Sequence, residues 1–308
     1  MRGDIVAVDI GGSHISSLLV NEGANGYERC SPLFTNKVDG GASRERILSE
    51  WREHLNNTIA RSANFSGRIA VAMPGPFDYE RGVGLFSSGG KFSRLQGTSL
   101  REAFVGAAAG AMRDGRSKDR TVNFANDAAC FGLGASKKID PDRQQSAIAI
   151  TLGTGVGSAF IRHGSLVTSG PGIPPGGEVY AQPFHDASAD DYFSTRWFVR
   201  SAEEEYGLVV AGVKELLETA DPKALAAIFS TFNHNLHQLL QPLFTAFQPD
   251  NLLIGGNIAR AWPYFAPELE AWLAPRSIRL HQALDGESSA CLGAAMACFP
   301  LPDKTGQR

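Results

Sequence analysis

The sequence predicts an α/β fold of two related halves, on three observations. A strand-to-glycine turn occurs twice, as Val6-Ala7-Val8-Asp9-Ile10-Gly11-Gly12-Ser13 and as Ile148-Ala149-Ile150-Thr151-Leu152-Gly153-Thr154-Gly155. Each turn is followed at once by a second apolar run, 15–20 and 156–161. Elsewhere, strand-like runs alternate with helix-period segments, the pattern of an α/β protein. With 308 residues, 43% of them apolar, the chain can fill two cores.

The N-terminal half opens with strands at 5–9 and 15–20 and a third near 27–34. Ile47, Trp51, Leu55 and Ile59 then recur every fourth position, one face of a helix. Residues 68–73 read as a buried strand stopped by Pro74-Gly75-Pro76, and a Gly/Ser-rich loop fills 82–97. A small-residue helix over 99–112 follows. The charged stretch 113–120 marks the expected boundary, which predicts one domain over 1–120 and another over 121–287. A terminal helix from 288, within 288–308, is expected to complete the first domain.

After the boundary come a strand at 121–125 and a helix opening at Asn126-Asp127, then a polar connection and the second hairpin. Residues 164–191 are rich in Gly, Pro and Asp, and too irregular for one element. A loop that long suggests function. Pro222 suits a helix start, and Phe229, Phe232, Leu236, Leu239, Leu240, Leu243 and Phe247 mark the apolar face of that helix. Leu252-Leu253-Ile254-Gly255-Gly256-Asn257 is a third strand-to-glycine turn. The last helix, 288–299, is mostly Ala, Cys and Leu, and the residues to Arg308 read as a frayed tail.

Bulk properties narrow the function classes. Net charge is −3 with both signs mixed, which disfavours a nucleic-acid partner. No apolar run approaches the ~20 residues that span a bilayer. The chain runs from Met1 straight into a strand, so a cytoplasmic location is expected. Cys30, Cys130, Cys291 and Cys298 form no C-x-x-C pair and read as buried, unpaired thiols. A cysteine zinc site is not expected.

Glycines let backbone N–H groups approach an anion, and hydroxyls add donors. Two such turns, one per half, suggest that both grip one polyphosphate, and hence phosphoryl transfer. Neither G-x-G-x-x-G nor a Walker loop occurs. Asp9 ends a strand and faces the turn Gly11-Gly12-Ser13-His14. A carboxylate there suits Mg²⁺, which prefers carboxylate and phosphate oxygens and retains its waters; the plain alternative is a hairpin with a Gly-Gly turn. Asn126-Asp127 has two readings as well. Both residues favour helix starts, and Asp127 is also placed to accept the proton of a substrate hydroxyl while Asn126 bonds a neighbouring one. Glu178, Asp186, Asp190 and Asp191 suit a ring of sugar hydroxyls, since a carboxylate oxygen can accept two hydrogen bonds; a solvated acidic loop is the alternative. His185 reads as a surface residue, and His234 and His237 as helix residues without partner acids for zinc. Lys91 and Arg162 are candidate extra cations.

Together these residues resemble the ROK family of sugar kinases and related repressors, within the actin-like ATPase fold. The resemblance rests on Asp9-Ile10-Gly11-Gly12-Ser13, Met73-Pro74-Gly75-Pro76-Phe77-Asp78, Asn126-Asp127, Leu152-Gly153-Thr154-Gly155-Val156-Gly157, Gly177-Glu178 and Gly255-Gly256-Asn257-Ile258-Ala259. It implies two actin-like, ribonuclease H-like domains with a cleft between them. It implies Asp127 as catalytic base, and Gly75, Pro76, Asn126, Glu178 and Asp190 at the sugar. Asp9, Gly11, Gly12, Ser13 and His14, with Gly153, Thr154 and Gly155, would serve the phosphates of ATP and Mg²⁺. Gly256 and Asn257 would lie near the adenosine.

The chain departs from the family at two places. Gly-Glu-x-Gly-His reads Gly177-Glu178-Val179-Tyr180-Ala181, without the histidine, and the zinc-binding cysteine cluster is missing. With no helix-turn-helix segment before Ile5, a DNA-binding repressor is not expected. The resemblance therefore implies an ATP-dependent hexose kinase, a cytoplasmic homodimer acting on a small sugar. A polyphosphate-dependent glucokinase and a non-catalytic sugar sensor are the alternatives.

Overall fold

Two units divide the chain at Gly134/Ala135 and Gly286/Glu287. The structure, a computed structural model, describes residues 3–23, 25–87, 90–111 and 120–301. Most of the charged stretch 113–120 and the tail to Arg308 lie outside the described residues.

In the first unit, β1 (Asp4–Ile10) and β2 (His14–Gly23) form the expected hairpin, with Ile10 opposite Ile15. The single strand expected near 27–34 is two, β3 (Gly26–Arg29) and β4 (Phe34–Lys37), both paired to β2. Pro32 lies between them and cannot donate to a ladder. Helix α1 (Arg44–Ile59) starts where the Ser43 side chain accepts the Arg46 N–H. Strand β5 (Phe65–Met73) then lies parallel to β1. The short pair β6 (Phe77–Asp78) and β7 (Val83–Gly84) leads to α2 (Leu100–Ala111). Strand β8 (Thr121–Asn126) pairs parallel with β5, giving the order β3-β2-β1-β5-β8. The division therefore differs from the sequence expectation at 120/121. The strand after the charged stretch closes the first sheet and does not open the second.

Period-two alternation sorts β1. Val6, Val8 and Ile10 join Ile47, Trp51, Leu55 and Phe104 in one apolar core. Asp9 falls on the other face with Ile5 and Ala7. Beneath α1 lies a buried polar chain that sequence periodicity missed. His54 Nε2 lies 2.8 Å from Ser17 Oγ, and its Nδ1 lies 2.8 Å from Asn36 Oδ1. Ser17 Oγ is also 2.7 Å from Thr58 Oγ1. Burial, with the Arg61 charge second, pushes the His54 imidazole down from 6.5 to about 4. The unfolded chain therefore takes up this proton first. Its contribution to stability is complete above about pH 6.5 and is lost as pH falls toward about 4. The urea midpoint should drop across that window more steeply in the natural protein than in His54→Gln. Equal slopes would contradict the assignment.

Helix α3 (Asp127–Ile139) leads out of β8. In the second unit, β9 (Ser146–Leu152) and β10 (Val156–Arg162) form the second hairpin, with β11 (Ser165–Leu166) on its edge. Residues 164–191 hold only short pieces, among them β12 (Pro183–Phe184), β13 (Ala187–Ser188) and the single turn α4 (Ala189–Tyr192). Helices α5 (Thr195–Tyr206), α6 (Val213–Thr219) and α7 (Pro222–Phe247) follow. Asp221 caps α7 by accepting the Lys223 and Ala224 N–H groups, and the seven predicted apolar positions of α7 are buried. Strand β14 (Asn251–Gly255) lies parallel to β9, followed by α8 (Trp262–Leu273). A further strand, β15 (Arg279–Ala283), completes the sheet; its half-exposed edge position left no apolar run to read. This unit has its own apolar core, centred on Phe193, Phe198, Phe229, Phe232 and Phe265.

Helix α9 (Gly286–Cys298) carries the chain back into the first unit from Glu287 onward. Cys130 and Cys291 are buried as expected, but Cys298 is half-buried and Cys30, at the end of β3, is exposed. Among the described residues no helix is long and apolar enough to cross a membrane.

Candidate active site

Strands β1, β5 and β8 are parallel and adjacent, so their carboxyl ends lie side by side. The register pairs Asp9 with Ala72 and Met73 with Asn126. Three predicted segments therefore meet at one sheet edge: the turn after Asp9, the Pro74-Gly75-Pro76 loop, and Asn126-Asp127. Carboxyl ends of parallel strands are where open α/β sheets bind ligands.

The first turn closes through the Gly11 N–H, which donates to the His14 carbonyl at 2.9 Å. Neither Gly11 nor Gly12 lies in the left-handed region, so backbone conformation does not demand glycine at either position. Space does. A Cβ on Gly11 would stand 2.7 Å from the His14 ring, and one on Gly12 would stand 2.5 Å from Lys91 Cδ. His14 Nε2 lies 3.2 Å from Glu287 Oε1, and Ser13 Oγ lies 3.4 Å from His14 Nδ1. Glu287 Oε2 accepts the hydroxyls of Ser16 at 2.7 Å and Thr35 at 3.3 Å. Sequence reading missed Glu287. It stands in the first turn of α9, more than 270 residues from His14, where an acidic residue reads as a helix start.

Asp9 and Asp127 are half-buried. Desolvation, then the charges of Asp127 and Glu287, holds the Asp9 carboxyl well above the ordinary carboxylate range. Desolvation also raises Asp127, opposed by N–H groups at the start of α3. The capping reading of Asn126-Asp127 holds. Asp127 Oδ1 accepts the Ala128 N–H at 2.8 Å and Asn126 Oδ1 accepts the Ala129 N–H at 3.0 Å, so each residue caps the helix. The cap fixes the carboxylate without using Asp127 Oδ2. Asn126 Nδ2 donates to the Tyr79 hydroxyl at 3.3 Å, and a Cβ on Gly75 would stand 3.7 Å from that hydroxyl. Tyr79 is thus a second residue that sequence reading missed.

The second unit repeats the arrangement on parallel β9 and β14. The Gly153 N–H donates to the Gly155 carbonyl at 3.0 Å, leaving Thr154 exposed at the tip. Gly256 lies in the left-handed region at φ 86°, and a Cβ there would also overlap the Leu152 carbonyl. The turn Gly256-Asn257 is therefore pressed against the strand that carries Gly153. Ser158 Oγ donates to the Gly177 carbonyl at 2.7 Å and accepts the Val179 N–H at 2.9 Å, holding Glu178 from both sides.

Asp190 is occupied at this turn. Its Oδ1 accepts the Val156 N–H at 2.8 Å, and its Oδ2 pairs with Arg196 Nη2 at 2.5 Å. Asp191 accepts the Ser188 hydroxyl at 2.5 Å, and Asp186 takes the Tyr192 hydroxyl. For Asp186 and Asp191 the acidic loop is thus local hydrogen bonding. Arg162 lies at the far end of β10, opposite Ser146, where it donates to the Phe247 carbonyl at 2.9 Å and covers that ring. Six residues of strand place it about 20 Å from the turn. His237 stacks on Trp272, with ring centroids 4.4 Å apart. Among the described residues no three His, Cys, Asp or Glu side chains gather as a metal-binding group.

Fold and sites together define a two-unit α/β protein whose first unit sets strand-end carboxylates beside a glycine turn and whose second unit carries its own glycine turn at a strand end. The sequence profile of the ROK family matches residues 115–297. That is more than half of the chain, and the chain belongs to the ROK family. It is 23% identical over 310 residues to the N-acetylmannosamine kinase of Pasteurella multocida, covering 94% of each chain. It is 26% identical over 175 residues to the glucokinase of Thermotoga maritima, matching 55% of this chain and about half (48%) of that relative. The ROK hexokinase structure from Thermus thermophilus superposes with a TM-score of 0.73 at 20% identity, covering 96% of this chain and 98% of that one. The fold is accordingly the two-domain actin-like fold.

Proposed function

We propose that this chain is an ATP-dependent sugar kinase that transfers the γ-phosphoryl group of ATP to a hydroxyl of a hexose or hexose derivative. The observation that carries the reading is the pair of carboxylates, Asp9 and Asp127, at the carboxyl ends of β1 and β8 in one parallel set of strands beside the first glycine turn. Family membership and the sugar-kinase names of the relatives support it.

In the proposed reaction the sugar hydroxyl oxygen forms a bond to the γ-phosphorus while the bond from phosphorus to the β,γ-bridging oxygen breaks. The hydroxyl proton passes to the Asp127 carboxylate, and ADP leaves with the electron pair. Such transfers proceed through a loose transition state, so the base mainly orients the acceptor. Asn126 and Glu178, with Gly75 and Pro76, are assigned to the sugar. Gly11, Gly12, Ser13 and His14 are assigned to the phosphates, as are Gly153, Thr154 and Gly155. Gly256 and Asn257 are assigned to the adenosine. Asp190, expected among the sugar ligands, is reassigned to holding the second turn, because both of its oxygens are engaged there.

Asp9, at the end of β1 beside the first glycine turn, is a carboxylate of the kind Mg²⁺ prefers, and it would hold that ion through water. When bound, that ion neutralises charge on the donor phosphates. A homodimer in the cytoplasm is proposed on family grounds alone.

The test is sugar phosphate formation, with ADP followed in the ATP arm, by the purified chain over hexoses, N-acetylhexosamines and their epimers, with ATP and inorganic polyphosphate run in parallel. Sugar-dependent ADP formation is expected. Turnover with polyphosphate alone would move the assignment to that donor. Sugar binding without turnover on either donor would make the chain a sensor.

A further inference from the structure

The first turn is crowded with negative charge. Asp127 and Glu287 both bear on Asp9 there, and the Glu287 carboxylate is already shared with His14, Ser16 and Thr35. A polyphosphate brought to this edge needs positive charge beside it. The protein supplies one such group that sequence neighbours gave no reason to choose.

Lys91 lies along Gly12. A Cβ on Gly12 would stand 2.5 Å from Lys91 Cδ and 2.8 Å from its Nζ, so stem and ammonium both touch the turn. Lys91 is exposed, and no hydrogen bond or ion pair engages it among the described residues. Its base is anchored all the same. The neighbouring Phe92 is 2% exposed, packs edge-on to Trp51 at 5.4 Å, and donates its N–H to the Gly40 carbonyl at 2.9 Å. Gly40 in turn sits against the Gly12 carbonyl, where a Cβ would stand 3.1 Å away. A buried aromatic plug thus fixes the start of a flexible cationic side chain directly on the glycine turn.

We propose that Lys91 contacts the transferring phosphoryl group, its ammonium meeting the γ-phosphate oxygens at Gly12 and offsetting the charge that builds there as the bond to ADP breaks. The proposal rests on the kinase reading. A positioned cation acts where water is partly excluded, and removing one such group typically costs about 10²-fold or more in turnover.

The experiment compares natural protein, Lys91→Met and Lys91→Arg as full chains. Steady-state kinetics are run with ATP and the best sugar, and calorimetry measures binding of a non-hydrolysable ATP analogue. Lys91→Met should lower kcat about 10²-fold and weaken analogue binding, with sugar KM within about twofold. Lys91→Arg should recover most of the loss, and thermal midpoints should agree, because the side chain is exposed. Lys91→Met with kcat and analogue binding within twofold of the natural protein would overturn the proposal. So would a rise in sugar KM with kcat and analogue binding unchanged, which would assign the ammonium to the acceptor. If the natural protein transfers phosphoryl to no sugar, the kinase reading fails by itself. Analogue binding then decides for Lys91: equal affinity in Lys91→Met overturns it, and lost affinity sustains the phosphate contact.

Discussion

Asp127→Asn should lower turnover by about 10²-fold or more while sugar affinity stays close to that of the natural protein. The substitution separates the helix cap from the proposed role as base. Asparagine keeps an Oδ1 acceptor for the Ala128 N–H, 2.8 Å away in the natural protein, so the start of α3 is preserved. It cannot take up a hydroxyl proton. Removing a carboxyl raised by burial also removes a desolvation cost, so stability should stay level or rise slightly. Turnover from initial rates and sugar affinity from calorimetry on the same preparation check this. Undiminished turnover would remove Asp127 from its role, and lost stability would show that the carboxylate matters chiefly as a cap.

The largest effect on stability is expected from Gly293→Ala. A Cβ at Gly293 would overlap the Cys130 carbonyl and stand 2.9 Å from the Gly134 nitrogen. Reciprocally, a Cβ at Gly134 would overlap the Ser289 carbonyl and stand 3.0 Å from the Gly293 nitrogen. Helices α3 and α9 therefore touch backbone to backbone, with no flexible side chain to yield. A methyl group must push them apart, and overpacking of this kind costs about 3 kcal/mol. The displaced helix carries Asp127 one turn before Cys130, so turnover of the folded variant should fall as well. Gly106→Ala in α2 is the control, because a Cβ there meets nothing within 4 Å among the described residues. It should stabilise by about 0.5–1 kcal/mol through helix propensity. Urea unfolding of both variants measures the contrast. A Gly293→Ala midpoint equal to that of the natural protein would mean that the helix contact is looser than described.

The parts of the site legible in the sequence are those made within a few residues. Asp9 and its glycines, Asn126-Asp127 and Gly153-Thr154-Gly155 each combine a strand end and a turn, and short-range chemistry marks them. Glu287, Tyr79 and the contact of Lys91 with Gly12 were hidden because sheet order and a returning helix bring distant segments together. Asp190 was visible as an acid, but its engagement by Val156 and Arg196 depends on how α4 and α5 pack on the second hairpin. The domain boundary moved because a charged stretch marks a surface connection, whereas sheet pairing decides to which unit Thr121–Asn126 belongs. Strand β15 carries Arg279, His281 and Gln282 on a sheet edge, where burial leaves too faint a pattern. The hairpin reading of the Gly-Gly turn holds in the first unit, where Gly11 and Gly12 pack against the His14 and Lys91 side chains, whereas at Gly256 a left-handed backbone and a close strand both require glycine.

Transfer of the γ-phosphoryl group to a sugar hydroxyl at the edge marked by Asp9 and Asp127 is tested most directly by following label from [γ-³²P]ATP in the presence of the best sugar. Label is expected in a sugar phosphate with the natural protein, formed one-for-one with ADP, and little in Asp127→Asn. Label released only as inorganic phosphate, or a sugar phosphate formed equally fast by Asp127→Asn, would contradict it.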